Sequence, residues 1–372
     1  MSDSSTVWCL LGKKAGDNTQ VLALARELGL GYVEKHITAR SWELLPHLLL
    51  RRTLAGIDRA ASSELEAPWP DLVISAGRRN EPVARWIQKR SGGATRLVHI
   101  GRPWAEPDCY DLVISTPQYF LDGRPGVLVN SLPLLRRDTA ELSGESARLL
   151  PRIQHLPRPW VAVLVGGDSG KYVLTPGKAE SLGHAAIALA SYQGGSLLVT
   201  DSPRTPRRAG DTLQGMLREQ DYCYRWGEGG DNPYQGLLAL ADAFVVTGES
   251  MSMLAEAFST GKPLHIFDPA DAGRWWLQAH NYRYKPLSHR LAMTFGPKRM
   301  RRDVGRIQEA LVASGQAAWL KDSGQEFPVF KLAPSQAGDS STRSPGQFDA
   351  ARDPGRELKV SALAVRRLLA AS

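Results

Sequence analysis

Short runs of β-branched and aliphatic residues recur along the chain, each ending in glycine, serine or another turn former. They fall at 7–12 (VWCLLG), 72–75 (LVIS), 97–101 (LVHIG), 112–115 (LVIS) and 127–129 (VLV), then at 161–167 (VAVLVGG), 197–200 (LLVT), 222–226 (YCYRW), 244–248 (FVVTG) and 264–267 (LHIF). Most are apolar at nearly every position. Strands covered by helices on both faces have that pattern, whereas a half-exposed sheet alternates. Between the runs, helical spacing predicts helices over 18–28, 41–55, 81–90, 178–192, 211–219, 234–241, 251–260 and 303–314. Strand, helix, strand is the order of a doubly wound, parallel α/β sheet.

The rhythm breaks at 131–160, a stretch with four prolines and no clear strand, and restarts at Trp160. Two Rossmann-like domains are expected, 1–145 and 146–330, followed by a polar linker and a terminal amphipathic helix over 331–372. Residues 331–357 are rich in Ser, Gly, Pro and Asp. After them Leu358, Val360, Leu363, Val365, Leu368 and Leu369 recur at helical spacing beside Lys359, Arg366 and Arg367. Such a helix either packs back on the body or lies on an anionic membrane. The DLVIS at Asp71–Ser75 returns at Asp111–Ser115, one strand entry used twice.

At 372 residues the chain holds about two domains' worth of core. Its 42% hydrophobic and 23% charged residues exclude a largely disordered chain. No apolar run approaches the ~18 residues of a spanning helix. The first residues, MSDSSTVWCLLGKKAGD, lack the basic and apolar regions of a signal peptide, so a cytoplasmic protein is expected. Cys9, Cys109 and Cys223 form neither a disulfide framework nor a CxxC pair, and neither a metal nor another cofactor is expected.

Lys and Arg exceed Asp and Glu by 46 − 38 = +8, and residues 281–306 alone carry eight Lys/Arg against one Asp. That segment is either a solvated face or a surface for anionic membrane headgroups and phosphates, which would make the protein peripheral on the inner face of a membrane. Without a zinc-finger or RNP-type motif, no nucleic-acid partner is expected.

Four loops after strands carry candidate chemistry, because ligands of open α/β sheets bind at C-terminal strand ends. In Gly12–Asn18, Asp17 is the candidate catalytic base; the alternative is that Asp17 or Asn18 caps the next helix. In Ser75–Asn80, Arg78 and Arg79 either meet an anionic ligand or form a surface pair balanced by Glu81. The stretch Val165–Lys171 fails the P-loop pattern, with Val165 in place of the first Gly and Tyr172 after Lys171, yet Gly167, Ser169 and Lys171 can hold a diphosphate. Arg204, in SPRTP after a strand, is a further phosphate candidate or a surface loop residue. In the fourth loop, Gly248-Glu249-Ser250-Met251-Ser252 falls one residue short of a GxSxG nucleophile elbow, and Asp268 and His280 follow in hydrolase order. Ser252 stands where the second Gly belongs, which disfavours a serine hydrolase.

TGESMSMLAEAFSTGKPLHIFD (247–268) resembles the nucleotide-sugar signature of GT-B glycosyltransferases, notably the peptidoglycan transferase that makes lipid II. The resemblance implies that the turn at Gly248, Ser250 and Ser252 meets the donor diphosphate and that Glu256, five residues before Gly261, holds the ribose hydroxyls. Over most of 7–320 the chain resembles the Elm-type mitochondrial fission protein family, which has many bacterial members. The matching pieces are LGKKAGDNTQ (11–20), PDLVISAGRR (70–79), VAVLVGGDSGKY (161–172), LLVTDSPRTP (197–206) and 231–263. Together these imply two Rossmann-like domains facing across a cleft in the GT-B manner. They also imply a metal-independent transferase that takes a nucleotide-diphosphate sugar, with its acceptor, a membrane-associated glycan or lipid, entering from the first domain near Arg78. Tyr224–Trp226, where aromatic residues end a strand, either lie against the base or pack in the core. GT-B enzymes commonly place a His base in the first acceptor-side loop, where this chain has Asp17 and Asn18. A GT-B-shaped adaptor that binds a partner or membrane without transfer is the alternative, and a missing dinucleotide fingerprint disfavours an NAD-dependent epimerase.

Overall fold

The structure is a computed structural model and describes residues 6–40, 52–136, 139–169, 172–270, 302–320 and 355–371. They form two compact units. The first holds the described residues between 6 and 136, residues 302–303 and residues 355–371; the second holds those between 139 and 320 apart from 302–303.

The first unit is built on six parallel strands: β1 (Val7–Leu11), β2 (Tyr32–His36), β3 (Leu72–Ala76), β4 (Arg96–Ile100), β5 (Leu112–Ser115) and β6 (Val127–Val129). Their order is β2-β1-β3-β4-β5-β6. The chain runs outward from β1 to β2, then returns to β3 and proceeds the other way. That reversal between β1 and β3 is the topological switch of a doubly wound sheet. Helices α1 (Ala15–Leu28) and α2 (Gly77–Arg90) follow β1 and β3. β1 and β3 are buried at every position, as their unbroken apolar runs predict. β2 is an edge strand exposed over much of its length, so YVEKH shows no such run.

The second unit repeats the plan with β7 (Trp160–Leu164), β8 (Ser196–Thr200), β9 (Tyr222–Tyr224), β10 (Ala243–Thr247), β11 (Leu264–Phe267) and the two-residue β12 (Ala318–Trp319). The order β12-β11-β10-β7-β8-β9 puts the switch between β7 and β10. Its helices are α3 (Thr139–Ile153), α4 (Pro176–Tyr192), α5 (Arg207–Gly215), α6 (Tyr234–Leu240), α7 (Met251–Ser259) and α8 (Gly305–Ala313). α3 lies in the proline-rich stretch where the sequence pattern shows a junction. It packs on α6, where a Cβ at Gly236 would press on the Glu145 carbonyl and the Leu149 side chain. Pro151 falls in its last turn.

The terminal helix α9 (Arg356–Ala370) packs on the first unit. Leu358, Ala362 and Val365 join one core with Leu24 and Leu28 of α1 and with Cys9 and Ile74 of the sheet. Asn130 Nδ2 donates to Ser361 Oγ at 3.0 Å, and Arg366 Nη2 donates to the Leu28 carbonyl at 2.9 Å at the end of α1. Among the described residues no helix is long and apolar enough to cross a membrane. Of the expected helix over 41–55, residues 41–51 lie outside the described residues and 52–55 are a bend and turn, not a helix; Lys171 and the basic segment from 281 to 301 also lie outside the described residues.

Candidate functional site

Three loops meet at the switch point of the second sheet. Gly166–Ser169 leaves β7, Ser202–Thr205 follows β8, and Gly248–Ser250 links β10 to α7. β7 pairs with both β8 and β10, so these loops emerge side by side.

The Gly166–Ser169 turn has committed its backbone amides. Gly166 N–H donates to Thr247 Oγ1 at 2.8 Å, Asp168 N–H to the Arg204 carbonyl at 3.0 Å, and Ser169 N–H to the Tyr172 carbonyl at 3.0 Å. Gly167 N–H points toward the Glu249 carboxylate. The Asp168 side chain closes the loop from inside by accepting from Leu174 N–H at 2.9 Å. Gly167 has φ of +101°, and a Cβ there would overlap the Arg204 carbonyl. A Cβ on Gly166 would overlap Glu249 and Ser250. Only glycine permits that approach. The turn therefore joins the three loops, and its amides are not the phosphate cradle that the glycine pattern predicts.

Arg204 is the polar centre. Its Nη1 donates to the Asp168 carbonyl at 3.1 Å and its Nη2 to Ser250 Oγ at 3.2 Å. Half-buried, the guanidinium thus reaches from the glycine turn to the start of α7. Ser202 Oγ donates to the Gly166 carbonyl and holds the arginine's loop down. Ser250 sits at the N-cap of α7. The first-turn amides of any helix lack intrahelical acceptors and carry the positive end of its dipole. The carbonyl of Gly248 accepts from Gln308 Nε2 of α8 at 2.6 Å.

Two carboxylates flank this centre. Glu249 is buried beneath Gly166, where Thr247 Oγ1 donates to its Oε1 at 3.1 Å. Burial pushes its pKa up to about 7, against the opposing influence of Arg204 and of hydrogen bonds. Glu256, farther along α7, accepts from the Tyr234 hydroxyl of α6. Burial raises the Glu256 pKa above the usual carboxylate range, and the tyrosine bond partly counters it. Burial first, and then the facing carboxylate, drive the Tyr234 pKa well above its ordinary value.

Thus Gly167, Arg204, Gly248 and Ser250 come together as one site. Ser169 stands at its rim, Ser252 points to solvent on α7, and Glu256 lies about 9 Å along the helix axis from Ser250 at 1.5 Å per residue. Near the end of β9, Asp201 accepts from Arg225 Nε at 2.7 Å and from the Trp226 amide, and half of the Trp226 side chain is exposed. Thr247, Glu249, Tyr234 and Gln308 were not singled out by the sequence pattern. The first two stand within the glycine–serine motif itself and Tyr234 within DNPYQG, whereas nothing local marks Gln308.

In the first unit Asp17 occupies the first turn of α1, with Oδ2 against Gly77 and 3.9 Å from Lys14 Nζ. Neither Asp17 nor Asn18 is the N-cap of α1, which is Lys14. Asn18 instead pins the loop: its Oδ1 accepts from Gly12 N–H at 2.9 Å and its Nδ2 donates to the Gly12 carbonyl at 2.8 Å. Arg78 lies over the Trp104 ring at 5.1 Å. Glu81 turns inward to accept from the Trp104 and Ala105 amides, at 2.7 and 2.8 Å. Among the described residues no group of three or more His, Cys, Asp and Glu side chains is placed to hold a metal ion.

The sequence model of the family described as Mitochondrial fission ELM1 matches residues 15–284. The chain is 25% identical over 297 residues to Uncharacterized protein RP120 of Rickettsia prowazekii, covering 71% of this chain and 83% of that one. It is 26% identical over 249 residues to Mitochondrial fission protein ELM1 of Arabidopsis thaliana, covering 61% of this chain and 58% of that longer one. Among solved structures, UDP-GlcNAc 2-epimerase of Methanocaldococcus jannaschii has a TM-score of 0.45 at 11% identity, over 70% of this chain and 83% of that one. ADP-heptose lps heptosyltransferase II of E. coli has a TM-score of 0.42 at 14% identity, over 72% and 86%. With TM-scores below 0.5, these structural likenesses do not bear on the chemistry.

Proposed function

Because the chain belongs to the mitochondrial fission ELM1 family, a family named for an organelle phenotype rather than a reaction, we propose its function from its own site: a glycosyltransferase of GT-B type that binds a nucleotide-diphosphate sugar in the second unit. The observation that carries this reading is the Arg204 guanidinium, bonded to Ser250 at the N-terminus of α7 and braced by the glycine turn. A diphosphate there meets a fixed cation, a hydroxyl and the free first-turn amides of a helix, the three elements that bind phosphate esters. Gly167 and Gly248 serve by permitting close approach, Ser169 by its hydroxyl at the rim, Lys171 by the charge it brings to the diphosphate, and Ser252 by lining the solvent side.

Glu256 accepts the ribose hydroxyls, oriented by Tyr234, and the base lies against Trp226. The leaving diphosphate is stabilised by Arg204 and the helix terminus, without a metal. Asp17 acts as base toward an acceptor that enters at the first unit, with Arg78 toward its acidic group. The basic 281–306 segment suits an acceptor at an anionic membrane surface. A nucleotide-binding adaptor without transfer is the second reading. What favours it is the Tyr234 hydroxyl, which donates to a Glu256 carboxylate oxygen that the ribose hydroxyls would need.

A thermal-shift series with UDP, GDP, ADP, CMP and their sugars tests the donor site. A ligand at 100 times its Kd stabilises by about 2.7 kcal/mol. One nucleotide class is expected to raise Tm in the wild type and to fail in Arg204→Gln and Glu256→Ala. Well-folded protein that responds to none of them rules out the donor site. Binding without sugar release or transfer over a panel of lipid-linked acceptors selects the adaptor.

A further inference from the structure

Helix α9 is fastened to the first unit along one side. Leu358, Ser361, Ala362 and Val365 are its buried residues. Glu357, the acid of its first turn, faces the body as well: it accepts from the Ser131 amide at 2.6 Å and from the Leu132 amide at 3.4 Å. Arg366 reaches back over the end of α1 and donates to the carbonyls of Glu27 at 3.2 Å and Leu28 at 2.9 Å.

The opposite side carries a different set. Arg356, Val360, Leu363 and Arg367 follow one another at steps of four, three and four residues, which sets them in one stripe along an α-helix. All four are exposed, and Lys359 stands exposed beside them. Val360 is 44% exposed and Leu363 48%, although both are large aliphatic side chains. Among the described residues the other large apolar side chains left exposed are Val33, Leu150, Tyr192 and Trp226, each in a different part of the chain. A single exposed apolar residue is ordinary on a protein surface. An aliphatic pair on one helix face, set between cations, is the pattern of a helix that lies in a lipid interface.

The charges of α9 are sorted in the same way. It holds Arg356, Lys359, Arg366 and Arg367 against Glu357 alone, and that one carboxylate is turned onto the body. The outer side is therefore basic and apolar at once.

We propose that the outer stripe of α9 docks the protein on an anionic lipid surface, with Val360 and Leu363 entering among the acyl chains and Arg356 and Arg367 meeting the headgroup phosphates. The helix stays folded on the first unit as it docks, because the side chains that fasten it and those of the stripe are different residues. A protein partner fits this face less well: a stable interface takes about 20–30 residues a side, and the stripe is one face of a single helix. A bilayer needs no complementary pocket, and binding grows with each apolar side chain inserted and each cation brought near. This inference is independent of the donor reading of the second unit.

Flotation of the full chain at low salt tests it, with vesicles of phosphatidylcholine alone or mixed with phosphatidylglycerol. Retention is expected on the mixed vesicles and much less on phosphatidylcholine alone. Val360→Gln with Leu363→Gln should weaken retention roughly tenfold, since glutamine suits a helix but does not insert. Arg356→Gln with Arg367→Gln should weaken it by roughly tenfold or more. Leu363→Trp should tighten it, because tryptophan favours the interface. Both double variants should melt close to the wild-type temperature, as residues outside the core do. Should either fail to fold, Leu363→Gln alone provides the same comparison. Wild type that is not retained on mixed vesicles, retention equal on neutral and anionic vesicles, or retention unchanged in both double variants overturns the proposal. Self-association that Leu363→Gln abolishes, without retention on vesicles, assigns the stripe to a second copy of this chain and overturns it too.

Discussion

The two sheets share a winding plan but treat their strand ends differently. In the second unit the loops after β7, β8 and β10 are tied to one another. Gly166 bonds Thr247, Asp168 bonds Arg204, Arg204 bonds Ser250, and two glycines sit where any side chain would collide. In the first unit the arginines after β3 and β4 rest on aromatic rings. One set of strand ends is a closed joint with a single guanidinium at its centre. The other rests its cations on aromatic rings. Preorganisation of the first kind suits a ligand whose geometry is always the same, as a nucleotide's is.

The largest expected effect comes from breaking the joint. Gly167→Ala places a Cβ at a positive φ and against the Arg204 carbonyl, so it should cost about 3 kcal/mol through backbone strain and overpacking together. Urea denaturation should show that loss, and nucleotide binding should go with it. An unchanged midpoint would mean that the three loops are not coupled.

Glu249 provides a pH test of the same joint. Its pKa in the folded protein, about 7, exceeds the ordinary 4.5, so the folded state binds more protons between those values. The sign follows: stability falls as pH rises from about 4.5 to 7 and is level on either side, by at most about 3 kcal/mol. Glu249→Gln should flatten that window and be more stable than the wild type at pH 8, whereas at pH 4 the two should agree. Denaturation midpoints at pH 4, 6 and 8 would check it.

A smaller effect is expected from Tyr234→Phe. Removing the hydroxyl frees Glu256 to move and gives up a hydrogen bond to a charged group. Nucleotide affinity should drop by a few-fold, equivalent to about 1 kcal/mol, with little change in ligand-free Tm beyond that amount. A larger affinity loss than for Glu256→Ala would show that the tyrosine, not the carboxylate, touches the ribose.

Much of the architecture was legible because central parallel strands are apolar at every position. Runs such as LVIS and FVVT announce themselves, whereas the edge strands β2 and β12 do not, since one flank of each faces solvent. α3 was hidden by Pro151, which lies close enough to the helix end to be tolerated. Within the site, Gly167, Arg204, Gly248 and Ser250 were readable from glycine and charge at strand ends. Their alliance was not, because it depends on backbone amides: the same glycines that suggest a phosphate cradle have their N–H groups spent inside the protein. The place of Arg302 was the least legible. It belongs by sequence to a basic segment that reads as a surface patch, and only the fold brings it to Gln118.

The second unit is inserted in the first like a clause in parentheses, since α9 comes last in the sequence and packs on α1, which is among the first elements. During synthesis, every strand of both sheets has left the ribosome before the helix that covers Leu24 and Leu28 exists. The nascent first unit must wait with an open apolar flank while the second matures. Its final closure is therefore a late, long-range event, slow relative to local contacts. Truncating or delaying the last helix should expose a sticky surface on the nascent chain even where the nucleotide-side unit has already folded.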